Sequence, residues 1–389
     1  MFTSMRIAYV TETYPPELNG VALTVERTVR HLRKRGHVVD LIRPRQPEDS
    51  DADDPSQWLT AGWPIPLYPD LRYGFAMASA LRRRFAHTRP DLVHLATPGP
   101  LPWVALRAAR ATGVPATSDF RTNFHQYSGY YHLGAFESLI VRILRRFHNR
   151  TARTFVPTRT VERELAAAGF RNLAVVGRGV DTARFCPARR SDALRDLWGV
   201  RADATVLLSV GRVAAEKNIA LALRAFESLR QRQPDAQMVV VGDGPLRRRL
   251  EAEHPAVRFV GVQRGDALAA CYASADLFVF PSLSETFGNV TLEALASGLP
   301  VVAFDVAAAA EHVTHGVNGL LVSPDDERGF DSTVCALAMQ PQRLAAMRGP
   351  AVEAALRARW DDVLARFETH LQDTIDAREA PSAADVVVA

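Results

Sequence analysis

The sequence contains little cysteine and almost no lysine. Its 389 residues include only three cysteines, Cys186, Cys271 and Cys335, which lie far apart and lack the spacing of metal ligands. Because three cysteines cannot all pair within the chain, a reducing cytoplasm is the compartment that fits best. Only two of the 47 basic residues are lysines, Lys34 and Lys217, which suggests a GC-rich genome in which lysine drifts to arginine. A lysine kept against that drift is a candidate for a role that needs a compact ammonium group.

Long apolar runs and a strong charge imbalance are also absent. No stretch approaches the roughly 20 apolar residues that span a bilayer, and the N-terminus lacks the regions of a secretory signal. The formal net charge is only +4, which argues against nucleic acid or another polyanion as a partner. With 47% apolar and 23% charged residues the composition is globular, and a length of 389 residues suits two domains.

Strands and helices alternate in two successive blocks. The first block begins with the strand Arg6–Thr11, the amphipathic helix Ala22–Arg35 and the strand Val38–Ile42. The pattern restarts at the strand Val206–Val210. This alternation predicts an α/β fold of two doubly wound, Rossmann-like domains, with ligands bound by loops at the carboxyl ends of the strands.

The two blocks predict the domain boundaries. We expect the first domain to comprise residues 1–185 and the second to comprise residues 186–355. The helix predicted at 356–377 is expected to pack back on the first domain, and the tail at 379–389 is expected to be disordered. Two such domains facing each other form a cleft, and the chemistry is expected in the loops that line it.

Two glutamates follow the predicted strand Leu277–Phe280. Glu285 lies in the loop, and Glu293, eight residues later, lies about one turn inside the next predicted helix. Between them, four residues would present backbone N–H groups to an anion at the helix start: Phe287, Gly288, Asn289 and Val290. An acidic first turn is common in helices, but a carboxylate on each side of a phosphate cradle suits a sugar nucleotide better.

A second charged loop follows the strand Val206–Val210 and contains Arg212 and Lys217. A guanidinium fork and a compact ammonium on one loop suit the neutralisation of a diphosphate. Charges after a strand are more often a solvated surface pair. The retention of Lys217 in so lysine-poor a chain favours a functional role instead.

The segment Ser284–Ala294 resembles the E-x7-E motif of retaining glycosyltransferases of the GT-B fold, especially glycosyltransferase family 4. The resemblance extends from Arg6 to about Trp360. It implies two Rossmann-like domains with an interdomain cleft. In the family the first acid contacts the donor sugar and the second contacts the ribose, which assigns these contacts to Glu285 and Glu293. The backbone between them would hold the diphosphate.

Three further positions match the family's donor site. Arg212 and Lys217 resemble the arginine and lysine that bind the donor phosphates. Gly20 resembles the glycine at which the diphosphate or acceptor approaches the backbone closely. The loop around Gly20 is not a G-x-G-x-x-G loop, so a nicotinamide cofactor is poorly supported. We expect no metal and no cofactor, because the basic residues can replace a cation and the nucleotide sugar is a substrate.

The sequence departs from the family where relatives carry a histidine that touches the donor sugar, after the fourth strand of the first domain. In direct alignment Arg121 stands at the position of this histidine, and His125 follows four residues later. Either side chain could take the role, and a purely structural His125 is an equal alternative. The predicted catalytic residues are therefore Arg121, His125 and Glu285.

The resemblance implies transfer of a hexose, with retention of configuration, from a nucleoside-diphosphate sugar to a lipid or glycan acceptor. The segments Gly177–Asp181 and Ser284–Ala294 look most like those of bacterial mannosyltransferases that use GDP-mannose. A UDP-sugar-dependent transferase, of the glucosyl or sulfoquinovosyl type, is the alternative donor class. Two other protein classes stay open: a nucleotide-sugar epimerase of the same fold, and a non-catalytic module that binds sugar nucleotides.

The predicted helix Phe136–Arg153 combines apolar positions with five arginines. Together with Arg82–Arg84 it offers a surface for peripheral contact with anionic lipid on the inner face of the cell membrane. The alternative is a helix that faces the core and keeps a solvated basic face.

Overall fold

A computed structural model describes residues 4–17, 20–49, 54–65, 68–121, 134–201, 203–283, 285 and 287–379. The chain forms two compact units: unit 1 comprises Met1–Val176 and Leu364–Ala389, and unit 2 comprises Gly177–Val363. We predicted from the sequence that the second domain begins at residue 186, whereas unit 2 begins at Gly177. Residues 380–389, for which we predicted disorder, lie outside the described residues.

Within the described residues, unit 1 is built on an eight-stranded sheet in the order β4-β3-β2-β1-β5-β6-β7-β8. The strands are β1 Arg6–Val10, β2 Val38–Pro44, β3 Gln57–Ile65, β4 Tyr68–Phe75, β5 Leu92–Leu95, β6 Ala116–Asp119, β7 Arg153–Val156 and β8 Leu173–Val175. The helices are α1 Gly20–Lys34, α2 Ala78–Thr88, α3 Pro100–Ala111, α4 Gly134–His148 and α5 Arg159–Ala167. All neighbouring strands are parallel except β3 and β4.

β1 is a central strand of unit 1 and pairs in parallel with β2 and β5. Its residues from Ile7 to Val10 are buried, which explains why this strand is a continuous apolar run in the sequence. The helical stripe predicted for α1 is confirmed, because Val25, Val29 and Leu32 are buried in the core next to β1. The carboxyl end of β1 therefore lies at the point where the strand order reverses, which is where ligands bind in such sheets.

The antiparallel hairpin of β3 and β4 is the part of unit 1 that the sequence did not predict. Trp63 pairs with Tyr73, and Gly62 pairs with Gly74, across the hairpin. Glycine and proline weaken a strand pattern, and Pro64 follows Trp63 directly. A Cβ on Gly74 would lie 2.7 Å from the side chain of Leu101, so close packing against α3 explains this glycine.

Within the described residues, unit 2 is built on a six-stranded, parallel sheet in the order β11-β10-β9-β12-β13-β14. The strands are β9 Val206–Val210, β10 Gln237–Val241, β11 Val257–Phe259, β12 Leu277–Phe280, β13 Val301–Phe304 and β14 Gly319–Val322. The α-helices are α6 Asp192–Leu197, α7 Ile219–Arg230, α8 Arg247–Glu253, α9 Gly265–Ser274, α10 Asn289–Ala296, α11 Ala307–His312, α12 Glu327–Ala338 and α13 Pro341–Leu356. The order reverses between β9 and β12, so their carboxyl ends mark the expected ligand site.

The last helix, α14, spans Trp360–Glu379 and belongs to unit 1 from Leu364 onward. Phe367 and Leu371 pack in the same core cluster as the buried residues of β1 and α1. The helix that we predicted at 356–377 therefore begins at Trp360, because residue 356 ends α13.

Candidate functional site

The loops after β9 and β12 meet at one ion pair. Because the two strands are parallel neighbours, these loops emerge at the same edge of the sheet. Lys217 ends a short 3-10 turn after β9, and its Nζ donates a hydrogen bond to Glu285 Oε1. Ser282 Oγ donates to the same oxygen at 2.9 Å. The structure thus brings together two predicted site residues, whose side chains are 22% and 13% exposed.

The loop that carries Lys217 packs on a glycine turn after β10. A Cβ on Gly242 would lie 1.9 Å from the carbonyl oxygen of Gly211, and a Cβ on Gly244 would lie 2.4 Å from that of Val213. The Val213 N–H in turn donates to the carbonyl of Asp243 at 2.9 Å. Only glycine permits this close approach of two backbones, so the turn fixes the position of the Lys217 loop.

The start of α10 supplies the predicted cradle of N–H groups. Gly288 precedes the helix with a φ of 87°, a conformation that favours glycine. Phe287 is 2% exposed and anchors the turn in the core, and its carbonyl accepts a hydrogen bond from Ala308 N at 2.7 Å. The first N–H groups of a helix have no acceptor within it, so those of Asn289 and Val290 are suited to an anion.

Glu293 lies one turn further along α10 and is half-buried. Tyr272, a fully buried residue of α9, donates its hydroxyl hydrogen to Glu293 Oε2 at 3.0 Å. Burial raises the pKa of Glu293 to about 7, although the hydrogen bond from Tyr272 acts in the opposite direction. Sequence reasoning missed this partner, because Tyr272 lies in an ordinary apolar stretch of a helix.

Arg212 does not join the pair of Lys217 and Glu285. Its side chain is 66% exposed, and its Nη1 lies 3.3 Å from Glu216 Oε1 within the same loop. An exposed guanidinium with one neighbouring carboxylate is free to reorient towards a ligand. A phosphate contact of Arg212 stays a prediction.

In unit 1, Gly20 is the first residue of α1 and is exposed. Its carbonyl accepts a hydrogen bond from Thr24 Oγ1 at 2.6 Å. The segment that leads to it from β1 is described up to Glu17, and His125 lies outside the described residues altogether. The predicted roles of Gly20 and His125 therefore stay predictions.

Arg121 follows β6 and is held by Asp119, the last residue of that strand. Asp119 Oδ2 accepts a hydrogen bond from Arg121 Nε at 2.8 Å and a second one from Nη2. His94 Nε2 lies 3.3 Å from the same oxygen. Burial acts to raise the pKa of Asp119, but the positive charge of Arg121 and the interaction with His94 outweigh burial and hold this pKa at about 2. Sequence reasoning found Arg121 and missed Asp119, although the two residues lie only two positions apart.

Glu12 is a second site residue that sequence reasoning missed. It follows β1, is 9% exposed, and its Oε1 accepts from Leu101 N at 3.2 Å and from Gly74 N at 3.4 Å. A Cβ on Gly99 would lie 1.4 Å from Glu12 Oε2, so the carboxylate occupies space that only a glycine leaves open. Burial raises the pKa of Glu12 to about 7 against these two hydrogen bonds. A charged residue directly after a buried central strand is the signal that could have identified it.

Among the described residues, no group of three or more His, Cys, Asp or Glu side chains is placed to hold a metal ion. Reaction without a metal therefore stays a prediction based on the charges of the site. The cationic side chains that we predict to contact the donor phosphates are those of Lys217 and Arg212.

Two family profiles match the chain in two successive ranges. Residues 18–184 match the family described as Glycosyltransferase Family 4. Residues 204–340 match the family described as Glycosyl transferases group 1, and this range contains both loops of the Lys217–Glu285 pair.

Two curated relatives are similar to most of the chain. A GDP-mannose-dependent alpha-mannosyltransferase of Mycolicibacterium smegmatis is 35% identical over 94% of this chain and 98% of its own length. A sulfoquinovosyl transferase of Arabidopsis thaliana is 30% identical over 82% of this chain and 64% of its own length.

Solved structures support the same fold. A sucrose-phosphate synthase from Thermosynechococcus elongatus superposes with a TM-score of 0.75 at 19% identity, covering 96% of this chain and all of that one. The expected family and fold are confirmed by these matches. The chain belongs to glycosyltransferase family 4, and it is a glycosyltransferase with the GT-B fold of two Rossmann-like domains.

Proposed function

We propose that the chain transfers mannose from GDP-mannose, with retention of configuration, to a lipid or glycan acceptor. The name and the 35% identity of the Mycolicibacterium smegmatis relative support the choice of donor. The observation that carries the proposal is the Lys217–Glu285 pair beside the start of α10, at the carboxyl edge of two neighbouring strands. It combines a cation and backbone N–H groups for a diphosphate with a carboxylate for sugar hydroxyls.

The proposed mechanism relies on stabilising the leaving nucleoside diphosphate. Before donor binds, Lys217 is neutralised by Glu285. A diphosphate held at the start of α10 provides a stronger partner for the ammonium, and Glu285 can then accept hydrogen bonds from the sugar. Removal of one such stabilising group typically lowers turnover by roughly 10²–10³-fold. Arg212 contributes a further cation when it reorients, and Glu293 binds the ribose diol. The reaction requires no metal and no cofactor.

A UDP-sugar-dependent transferase of the glucosyl or sulfoquinovosyl type is the second candidate. The Arabidopsis thaliana relative supports it, because a sulfoquinovosyl transferase shares 30% identity over 82% of this chain. The two donors differ in the base and the sugar but share the diphosphate, so both suit the same pair of loops.

The acceptor side is proposed to contact a membrane surface peripherally, on the cytoplasmic face. Leu144 and Phe147 of α4 face the core, whereas Leu139 and Ile143 are 47% and 46% exposed. The exposed face of the helix also carries arginines, namely Arg142 and Arg146. Exposed apolar side chains among arginines favour lipid contact over a purely solvated basic face. No helix among the described residues is long and apolar enough to cross a bilayer.

The lipid contact is tested by pelleting the protein with vesicles. Vesicles that contain phosphatidylglycerol should retain the protein at low salt, and vesicles of phosphatidylcholine alone should retain much less. The Ile143→Ser variant should lose most of the retention while its melting temperature stays close to that of the wild type. Equal pelleting of the protein with and without anionic lipid contradicts the contact.

The donor proposal is tested with the two lysines of the chain. We expect GDP and GDP-mannose to raise the melting temperature more than UDP, UDP-glucose or ADP do, because ligand binding stabilises the native state. We expect Lys217→Ala to lower GDP release from GDP-mannose by roughly 10²–10³-fold. Lys34→Ala, which changes an exposed lysine at the end of α1, is the matched control and should retain wild-type release.

Near-wild-type turnover in Lys217→Ala would contradict the proposal, provided that Lys217→Ala and Lys34→Ala have the melting temperature of the wild type. Preferential stabilisation by UDP-glucose would favour the second candidate. Conversion of the donor alone into an epimer would identify an epimerase. Binding of GDP-mannose without turnover in the presence of any acceptor would identify a binding module.

A further inference from the structure

The Asp119–Arg121 pair lies at the carboxyl edge of the sheet of unit 1. Asp119 is the last residue of β6, which runs parallel to β5, and β5 runs parallel to β1. Loops at this edge of a parallel sheet form the ligand site in doubly wound domains. Arg121, two residues after the end of β6, is thus placed where a substrate is expected.

The guanidinium of Arg121 is held by Asp119, and Asp119 is in turn held in place by buried neighbours. Asp119 is 3% exposed, and one of its oxygens accepts both the Nε and the Nη2 hydrogen bonds of Arg121. His94 is fully buried, lies 3.3 Å from the same oxygen, and has its Nδ1 3.0 Å from Thr117 Oγ1. The ring of Tyr9 packs on that of His94 with 4.6 Å between centroids. Residues of β1, β5 and β6 therefore prevent Asp119 from turning away.

The contact between Asp119 and Arg121 is local. Asp119 and Arg121 are two residues apart in sequence, so their contact joins no distant parts of the chain. Removing one partner of a buried ion pair leaves the other charge unpaired and lowers stability, so the melting temperature of each variant is measured together with its binding. The contact does determine where the guanidinium points, and the Arg121 side chain keeps 18% exposure at the surface of the site.

A guanidinium in this state is suited to an anionic ligand. Arginine has five N–H donors, and the two hydrogen bonds to Asp119 leave the remaining donors for a ligand. Its planar fork matches the paired oxygens of a phosphate or a carboxylate, and holding it in advance lowers the entropy lost on binding. A neutral histidine at this position would lack both the charge and the fork.

We infer that Asp119 is a positioning residue that holds Arg121, and that Arg121 binds an anionic oxygen of a substrate. The inference rests on the proposed function. The oxygen belongs either to the diphosphate of the donor or to an acidic group of the acceptor.

The test compares GDP binding, and phosphate binding to the GDP-saturated protein, by calorimetry and thermal shift. We expect Arg121→Ala and Asp119→Asn each to weaken one of these two interactions by roughly tenfold. If the oxygen is that of the donor, GDP affinity falls. If it is that of the acceptor, GDP affinity is unchanged and millimolar phosphate no longer raises the melting temperature of the GDP-saturated variant.

The double variant separates positioning from a structural role. If Asp119 acts through Arg121, Asp119→Asn has no further effect on binding in the Arg121→Ala background, so the two changes are strongly non-additive. Asp40→Asn is the matched control, because Asp40 forms a comparable buried pair with Arg84 that lies away from the carboxyl edge. We expect Asp40→Asn to lower the melting temperature and to leave both binding measurements unchanged.

Three results distinguish failure of the inference from failure of the proposed function. If Lys217→Ala weakens GDP binding while Arg121→Ala and Asp119→Asn change neither interaction by more than about twofold, the inference is wrong and the donor site stands. Additive binding losses from Asp119→Asn and Arg121→Ala also overturn it, because Asp119 then acts independently of Arg121. If Lys217→Ala binds GDP normally, the proposed donor site fails instead.

Discussion

Replacing Glu12 with glutamine is expected to stabilise unit 1 at alkaline pH. Burial raises the pKa of Glu12 from 4.5 to about 7, against the hydrogen bonds from Leu101 and Gly74. Between these two values the native state holds a proton that the unfolded state has released. The stability that this proton contributes is complete below the unfolded pKa of 4.5 and is lost as the pH rises through about 7.

The expected change in the free energy of unfolding follows from the size of the pKa shift of Glu12. One pKa unit corresponds to about 1.4 kcal/mol, so the rise from 4.5 to about 7 amounts to roughly 3 kcal/mol above neutral pH. A glutamine in place of Glu12 keeps an oxygen that can accept from Leu101 and Gly74, and it carries no charge at any pH. Relative to wild type, Glu12→Gln should therefore gain roughly 2–3 kcal/mol between about pH 5 and about pH 8.

Differential scanning calorimetry across this pH range measures the effect. For a domain of roughly 150–250 residues, 1 kcal/mol shifts the melting temperature by roughly 2–4 °C, so the gain at alkaline pH is easily resolved. Glu48→Gln serves as the control, because Glu48 is an exposed carboxylate of the same unit. A Glu12→Gln variant whose melting temperature differs from wild type equally at both ends of the range would refute the reasoning. So would a variant that is less stable than wild type at about pH 8.

Two further predictions concern unit 2. Because the pKa of Glu293 is about 7, GDP affinity should fall as the pH drops from about 8 to about 6. Tyr272→Phe removes a hydrogen bond that lowers this pKa, so the fall in affinity should occur at higher pH in that variant. Titration calorimetry that finds the same pH dependence in both proteins contradicts this prediction. Gly242→Ala places a Cβ 1.9 Å from the carbonyl oxygen of Gly211 and should cost roughly 2 kcal/mol or more, as well as weakening GDP binding. Wild-type stability and wild-type GDP binding in Gly242→Ala, measured by thermal melts and titration calorimetry, would contradict the packing argument.

Local patterns in the sequence predicted most elements that position the site. The period of Val25, Val29 and Leu32 identified the buried face of α1, because a helix places residues three and four apart on one side. The strand β9 and the helix start after β12 were likewise evident from apolar runs and from the glycine before α10. The β3–β4 hairpin was not, because Gly62, Gly74 and Pro64 interrupt the strand alternation. Of these, Gly74 packs closely against Leu101 of α3, and Gly62 lies against the backbone of Arg45.

Side-chain partners could be predicted only where they depend on local spacing. Lys217 and Glu285 are 68 positions apart, and they meet because β10 and β11 lie on one side of β9 while β12 lies on the other. Strand order of this kind is set by the packing of the whole sheet, and no short segment encodes it. The burial of Glu12 and the hydrogen bond from Tyr272 to Glu293 depend on the same packing.

The assignment of the end of α14 to unit 1 bears on the order in which the protein folds during synthesis. Unit 2 is one continuous stretch, Gly177–Val363, and is complete before the last residues are translated. One core cluster of unit 1 includes Phe367 and Leu371 together with Met5 and other residues near the N-terminus. The first residues of this core cluster are therefore translated before unit 2, and the last ones are translated after it.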